Sequence, residues 1–351
     1  MRKLALMLAQ CLLLAGCTGL PRPREMGEMA LLRTVGVDAV GEEIVLTVST
    51  GPRAAGVDGE KEEPLVLKGE GESLSAAAFA LGQKSDRTVF FGYVDNLLLG
   101  EGTQQVFDIF GWLARDGELS LGGNVWLLRE SDAARAVEDG GRSGVEGRLS
   151  ALEQDSKLGH APMIRTAREV YAALLDKGCA FLPVLRPGEE LTPAGYGVLR
   201  GEELAGYLEG DAARGLELLA ERPMAEIIEV SLPKNRISLK LTGAQLDCRP
   251  IFQKDTLVRL ELTCRVEAKM AQCRQPPTAS EREMLRAAAG EVLKGYLEQA
   301  LTALRRWESD CVGIGSRVGM AAPGRWEKLE ERWSEVFGNV DYYMDVAVSL
   351  N

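Results

Sequence analysis

Between residues 258 and 268 the chain alternates apolar and polar side chains without a break. Val258, Leu260, Leu262, Cys264, Val266 and Ala268 interleave with Arg259, Glu261, Thr263, Arg265 and Glu267. A period of two sends successive side chains to opposite faces of a pleated ribbon, so this stretch is expected to be a strand with one wet and one buried face. Ile237, Leu239 and Leu241 alternate with Ser238, Lys240 and Thr242 in the same way. So do Val340, Tyr342, Met344, Val346, Val348 and Leu350 with their neighbours. Three such faces need a cover, and the period changes to supply one. Over Ser280 to Trp307 the apolar residues Leu285, Val292, Tyr296, Leu304 and Trp307 recur near helical spacing, with Glu281, Glu291 and Glu298 for the solvated side. Residues 226–351 are therefore expected to form an antiparallel sheet packed on one long helix.

Upstream, short strands and helices follow one another. Leu31 to Val37 and Ile44 to Ser49 read as a hairpin, and Leu65 to Lys68 as a strand. A helix from Leu74 to Gln83 has Ser73 as its N-cap. Val89 to Phe91, Asn96 to Leu99 and Gly123 to Arg129 read as strands, with helices over 103–114, 132–138 and 145–158. Alternation of this kind predicts an α/β domain over 29–160, with a boundary at His160, Ala161 and Pro162. A small middle domain is expected over 161–225. It has a helix from Ile164 that stops at Lys177-Gly178, strands at 179–185 and 194–199, and one or two short helices over Gly201 to Leu219. The fold class is thus mixed α/β, or α+β, with several domains, as 335 residues after a leader require.

The leader is residues 1–16. Arg2 and Lys3 precede an apolar run from Leu4 to Leu14 broken only by Gln10, a signal-peptide layout too short for a stable membrane span. The run ends as Leu14-Ala15-Gly16-Cys17, like the lipobox of bacterial lipoproteins, so Cys17 is expected to receive a diacylglycerol group and become the mature N-terminus. Residues 17–28, with Pro21 and Pro23 among charges, suit an extended spacer. Loss of Arg2 and Lys3 leaves 39 of the 41 Lys and Arg against 52 Asp and Glu, a net charge of −13. That charge argues against nucleic acid as a partner and against electrostatic docking on anionic lipid.

Little catalytic chemistry is legible. Five cysteines remain after the leader and Cys17, namely Cys179, Cys248, Cys264, Cys273 and Cys311, without a CxxC and with His160 as the only histidine. This is a poor disulfide framework and an improbable zinc set, so the cysteines read as small buried residues, and no cofactor or metal is expected. In Gly313-Ile314-Gly315-Ser316-Arg317-Val318-Gly319 the third glycine is one residue late for a dinucleotide fingerprint, and the segment reads as a loop ending the long helix. Gly69-Glu70-Gly71 precedes a helix, but Glu70 and Glu72 would repel an anion, which favours a structural turn. Asp95, Glu101, Asp116 and Glu118 are the acids that a carboxylate-pair mechanism would draw on.

In order and spacing, the segments resemble the Ger(x)C family, the lipoprotein C subunits of spore germinant receptors. The resemblance rests on the lipobox at Cys17, on Arg24-Glu25-Met26 and on Leu31-Leu32-Arg33-Thr34-Val35-Gly36-Val37-Asp38. It continues through Gly69-Glu70-Gly71-Glu72-Ser73-Leu74, Phe91-Gly92-Tyr93-Val94-Asp95, Leu98-Leu99-Gly100-Glu101 and Arg115-Asp116-Gly117-Glu118-Leu119. At the far end it includes Asp310-Cys311-Val312-Gly313-Ile314-Gly315, Trp326 and Trp333-Ser334-Glu335-Val336-Phe337. Tyr93 stands where the family commonly has histidine, and Cys311 departs from the usual loop. The resemblance implies a three-domain mixed α/β ectodomain without catalytic activity on the outer face of the spore's inner membrane. It also implies assembly with a multi-spanning A subunit and a transporter-like B subunit. The competing expectation is a solute-binding lipoprotein of a transporter, which needs two similar α/β lobes around a cleft.

Replacing the lipid-bearing residue tests the anchor directly. Cys17→Ala is expected to move the protein from the membrane to the soluble fraction in cells lacking the A and B subunits, since acyl chains contribute about 0.8 kcal/mol per buried CH₂. Retention of the variant in the membrane fraction would show that the anchor lies elsewhere.

Overall fold

The computed structural model describes residues 29–52, 63–103, 106–115, 120–140, 144–188, 190–222, 226–233 and 235–351. The leader, Cys17, the linker to residue 28, Asp116 and Glu118 lie outside the described residues.

Two sheets organise the chain. In the first, β2 (Thr34–Val40) turns at Gly41 into β3 (Glu43–Ser49), and β3 pairs antiparallel with β4 (Val66–Gly71). On the other side of β2, β6 (Asn96–Leu99), β7 (Asn124–Leu128) and β9 (Cys179–Arg186) run parallel to it in turn. β10 (Thr192–Arg200) and β11 (Glu203–Leu208) close that side antiparallel. The order is β11-β10-β9-β7-β6-β2-β3-β4, with β8 (Arg165–Thr166) off β7. Beside the sheet, β1 (Met29–Leu31) pairs parallel with β5 (Thr88–Phe90).

Parallel strands need crossover helices, and these cover both faces. Leu97, Leu99, Val125 and Leu127 point to a core shared with α1 (Leu74–Lys84), α2 (Val106–Arg115) and α5 (Ala167–Lys177). Leu98, Trp126 and Leu128 point the other way, to α3 (Ala133–Glu138) and α4 (Gly144–Lys157). Ser73 caps α1 by accepting from the Ala76 N–H, as expected. Gly69 and Gly71 are not a turn. They belong to β4, and a Cβ on Gly69 would lie 2.2 Å from the Ala77 carbonyl oxygen, so glycine lets α1 settle on the strand.

The stretch expected as a middle domain has no sheet of its own, because β9, β10 and β11 extend the first sheet. Gly201 to Leu219, expected to be helical, opens with β11 and only then forms α6 (Gly210–Leu219). Its Leu204, Tyr207 and Leu208 are strand-compatible, and Gly201 adopts φ +59°, which makes the tight turn from β10.

The second sheet has the order β12-β13-β14-β15, formed by Ile227–Leu232, Asn235–Gln253, Thr256–Cys273 and Asp341–Leu350. β13 and β14 are antiparallel, as expected, and β12, which is not among the strands read from the sequence, pairs antiparallel with β13; β15, expected in the same antiparallel sheet, joins β14 in parallel. The reason is α7 (Ala279–Arg306), which crosses the sheet and returns the chain to the same end. Its capping box is complete, Thr278 to the Glu281 N–H and Glu281 to the Thr278 N–H. The buried stripe of α7 is Leu285, Ala289, Leu293, Leu297, Leu301 and Leu304, while Val292, Tyr296 and Trp307 sit at its margin. Ile314–Ala321, expected as a loop, is helix α8.

One core joins the two sheets. Phe181, Tyr196, Val198 and Leu208 of the first sheet pack with α6, α7 and the inward faces of β12 to β15. α6 and α7 meet where a Cβ on Gly215 would lie 2.0 Å from the Tyr296 carbonyl oxygen. Among the described residues no helix is long and apolar enough to cross a membrane.

The register of β14 gives a paired test. Leu262 is 0% exposed, whereas Glu261 pairs with Arg249 and Arg259 on the wet face. Leu262→Asp is expected to destabilise by roughly 4 kcal/mol or more, and Glu261→Gln by less than about 1 kcal/mol. Thermal unfolding of the two variants checks it, and equal melting temperatures would contradict the register.

Candidate functional site

The motifs singled out in the sequence converge on two buried carboxylates. Asp310 lies in the turn between α7 and α8 and is 5% exposed. Its Oδ1 accepts the Ile314 N–H at 2.8 Å, and its Oδ2 accepts the Gly315 N–H at 2.5 Å and Trp333 Nε1–H at 2.8 Å. Orphan amides at the start of α8 are thereby satisfied, and the negative charge sits at the positive end of the helix. Burial pushes the Asp310 carboxyl above its usual range, against the pull of these hydrogen bonds and of Lys177. Ionisation there opposes folding, so the contribution of this group to stability is largest at low pH and declines as pH rises through its folded pKa.

The glycines of the same motif serve aromatic packing. Gly313 takes φ +80° at the N-cap. A Cβ on Gly315 would lie 2.5 Å from Trp333 Nε1, and one on Gly319 3.1 Å from Trp326 Cγ. The helix therefore offers a flat face to two indoles whose ring centroids are 5.1 Å apart. Sequence reading missed this helix because its cap comes from Asp310, four residues before its first turn, and not from the residue at the N-cap.

Asp38 repeats the device in the first sheet. Its Oδ1 accepts the Ala133 N–H at 2.7 Å and its Oδ2 the Ala134 N–H at 2.8 Å, which caps α3. A Cβ on Gly100 would lie 1.9 Å from Asp38 Oδ1, so the Leu99-Gly100-Glu101 motif leaves room for the carboxylate. Arg33 and Asp95 form an ion pair, and the Arg33 carbonyl accepts the Asp95 and Asn96 N–H groups. This ties the 31–38 motif to the 91–95 motif. Tyr93, 52% exposed, leans on Phe90 with ring centroids 5.9 Å apart.

The carboxyl ends of β6, β7 and β9, where open α/β sheets commonly bind ligands, are occupied by ion pairs. Arg129 and Arg186 both reach Glu209, and Arg129 stacks 4.4 Å over the Tyr207 ring. Glu101 accepts from the Glu130 N–H at 2.7 Å and from the Tyr207 hydroxyl at 3.3 Å. Burial first, and Glu101 second, push the Tyr207 hydroxyl up to about 12. Asp95 and Glu101 are thus each engaged at separate places and do not form a pair.

The described cysteines are free, and Cys179, Cys264 and Cys311 are buried. Burial pushes Cys179, Cys248 and Cys264 up to about 12, and Cys311 well above its ordinary value, so they are thiols and poor nucleophiles. Among the described residues no group of three or more His, Cys, Asp or Glu is placed to hold a metal ion. Beneath the junction of the sheets, a cleft of about 770 Å³ lies between the end of α4 and the β13 bulge at Gly243. Its charges are mixed, with Lys157, Arg222 and Lys240 facing Glu153 and Glu221.

Removing one acceptor at Asp310 tests the capping role. Asp310→Asn turns an amide NH₂ or a single oxygen toward three donors and is expected to cost about 2–4 kcal/mol. Trp333→Phe deletes one donor, keeps most of the ring and is expected to cost about 1 kcal/mol. Urea unfolding of both variants is the measurement, and an Asp310→Asn protein as stable as Trp333→Phe would refute the cap.

Residues 22–187 match the family model described as spore germination protein N-terminal domain, and residues 194–351 that described as spore germination B3/GerAC like, C-terminal. A solved structure, the crystal structure of the GerBC protein, superposes with a TM-score of 0.62 at 15% identity, covering 90% of this chain and 96% of that one. No curated protein matches the sequence significantly. The border between the two family models falls at the β9–β10 hairpin, inside the continuous first sheet, and both halves are of the same kind: the chain belongs to the Ger(x)C family.

Proposed function

We propose that the chain is the non-catalytic C subunit of a spore germinant receptor, anchored through a lipid on Cys17 to the outer face of the spore's inner membrane. In this reading it assembles with the A and B membrane subunits and supports nutrient-triggered germination. The observation that carries it is the match of both halves to spore germination family models. The motifs on which the sequence resemblance rests support it as well. Those around Asp38, Gly100, Asp310 and Gly315 are used to cap helices and seat indoles, which specifies a scaffold and leaves no nucleophile, base or phosphate loop among them. The first sheet has helices on both faces and the second is covered on one face, unlike the two similar lobes of a solute binder.

A tether suits such a role because confinement raises the effective concentration of the partner, so a modest interface is occupied on the membrane. Affinity in dilute solution is then expected to be weak. Deleting the gene is expected to lower A and B accumulation in spores and to abolish the response through that receptor, while an unrelated receptor in the same spores responds normally. Normal accumulation and normal germination through the same receptor would overturn the subunit reading.

A further inference from the structure

The charges that line the cleft of about 770 Å³ beneath the junction of the sheets do not balance. Its size falls within the roughly 300–1,000 Å³ range of small-ligand pockets. Both of its acids are already engaged. Glu153 pairs with Lys157 at 2.8 Å. Glu221 pairs with Arg317 at 3.2 Å and accepts the Leu246 N–H at 2.7 Å. Arg222 and Lys240 are left over, and among the described residues neither forms an ion pair.

The backbone holds both cations in place. After α6 Glu221 takes φ +59°, and the Arg222 N–H donates to the Glu217 carbonyl at 2.9 Å, which closes the helix end and fixes where Arg222 leaves it. Lys240 is placed by the ladder register, directly opposite Lys269 of β14, and the bulge between Leu241 and Gly243 follows at once. Like charges opposed in this way weaken a sheet. Arg222 also bears on Arg165, whose guanidinium lies 4.6 Å over the Phe181 ring. Burial holds Arg165 below its ordinary value, and the Arg222 charge acts in the same direction. Arg222, Lys240 and Lys269 thus crowd one junction without acids, in a chain whose net charge is −11. An anion seated between Arg222 and Lys240 would relieve that crowding.

We propose that the cleft binds a small dicarboxylate, with Arg222 and Lys240 as its counter-ions. The planar guanidinium takes one carboxylate through two N–H groups, and the ammonium takes the other as a point charge. Leu158, Ala161, Met163 and Ile164 supply an apolar wall, which suits the hydrocarbon between two carboxylates and offers nothing to an inorganic anion. The Ser156 hydroxyl adds a donor on the α4 side. The proposal does not depend on the receptor reading, since it stands on the geometry of the cleft alone.

Calorimetric titration of the full chain in detergent with glutarate tests it, with cadaverine as the cationic control and inorganic phosphate as an anion without a hydrocarbon body. Saturable glutarate binding, millimolar or tighter, is expected, with phosphate at least tenfold weaker and no cadaverine binding. Arg222→Gln and Lys240→Gln are each expected to weaken glutarate at least tenfold. Both side chains are exposed, so neither change threatens the fold. Arg236→Gln removes a cation from the same sheet that pairs with Glu229 and does not line the cleft, and is expected to leave the affinity unchanged. Absence of saturable glutarate binding, equal binding by wild type and either cleft variant, an equal loss in Arg236→Gln, or phosphate binding as tightly as glutarate would overturn the proposal.

Discussion

Each half of this protein is closed by a carboxylate taken out of water and pointed at the start of a helix. Asp310 holds α8 and the Trp333 indole, and Asp38 holds α3 against β2. Burying an acid is costly, and both groups are pushed above the usual carboxylate range by that burial. They are retained because the orphan amides of a buried helix end need an acceptor, and two oxygens on one side chain can serve two or three donors at once. Much of the local sequence is arranged to admit them. Gly100 has no Cβ where Asp38 needs space, and Gly315 has none where Trp333 descends onto the same cap.

Around these fixed points, close backbone approach sets how the layers meet. Gly69 and Gly71 bring α1 onto β4, and Gly215 brings α6 onto α7. In each case contact is made between main chains, which leaves no flexible side chain to absorb a substitution. The long helix is the hinge of the arrangement's architecture, since one face covers β12 to β15 and its flank receives α6 from the first sheet.

What could be read from the sequence was what depends on periodicity and local capping. The alternation of β13, β14 and β15, the extent of α7 and α5, and the caps at Ser73 and Gly178 all follow from residues within a few positions of one another. What could not be read depends on partners far along the chain. The parallel pairing of β15 is a property of the crossover, and an alternating strand looks the same in either direction. The bulged register near Phe252 shifts burial to Leu257, so Val258 is only half-buried. The cap on α8 was hidden because its acceptor, Asp310, lies four residues before the helix begins.

The first sheet runs through the border between the two family halves without losing a hydrogen-bonded neighbour, because β9 and β10 pair across it. Mechanically this makes the molecule a single stiff plate with a second plate bolted beneath one end through the shared core. A load drawn across that border is carried sideways by rungs of backbone hydrogen bonds between β9 and β10, in shear, and not by a linker.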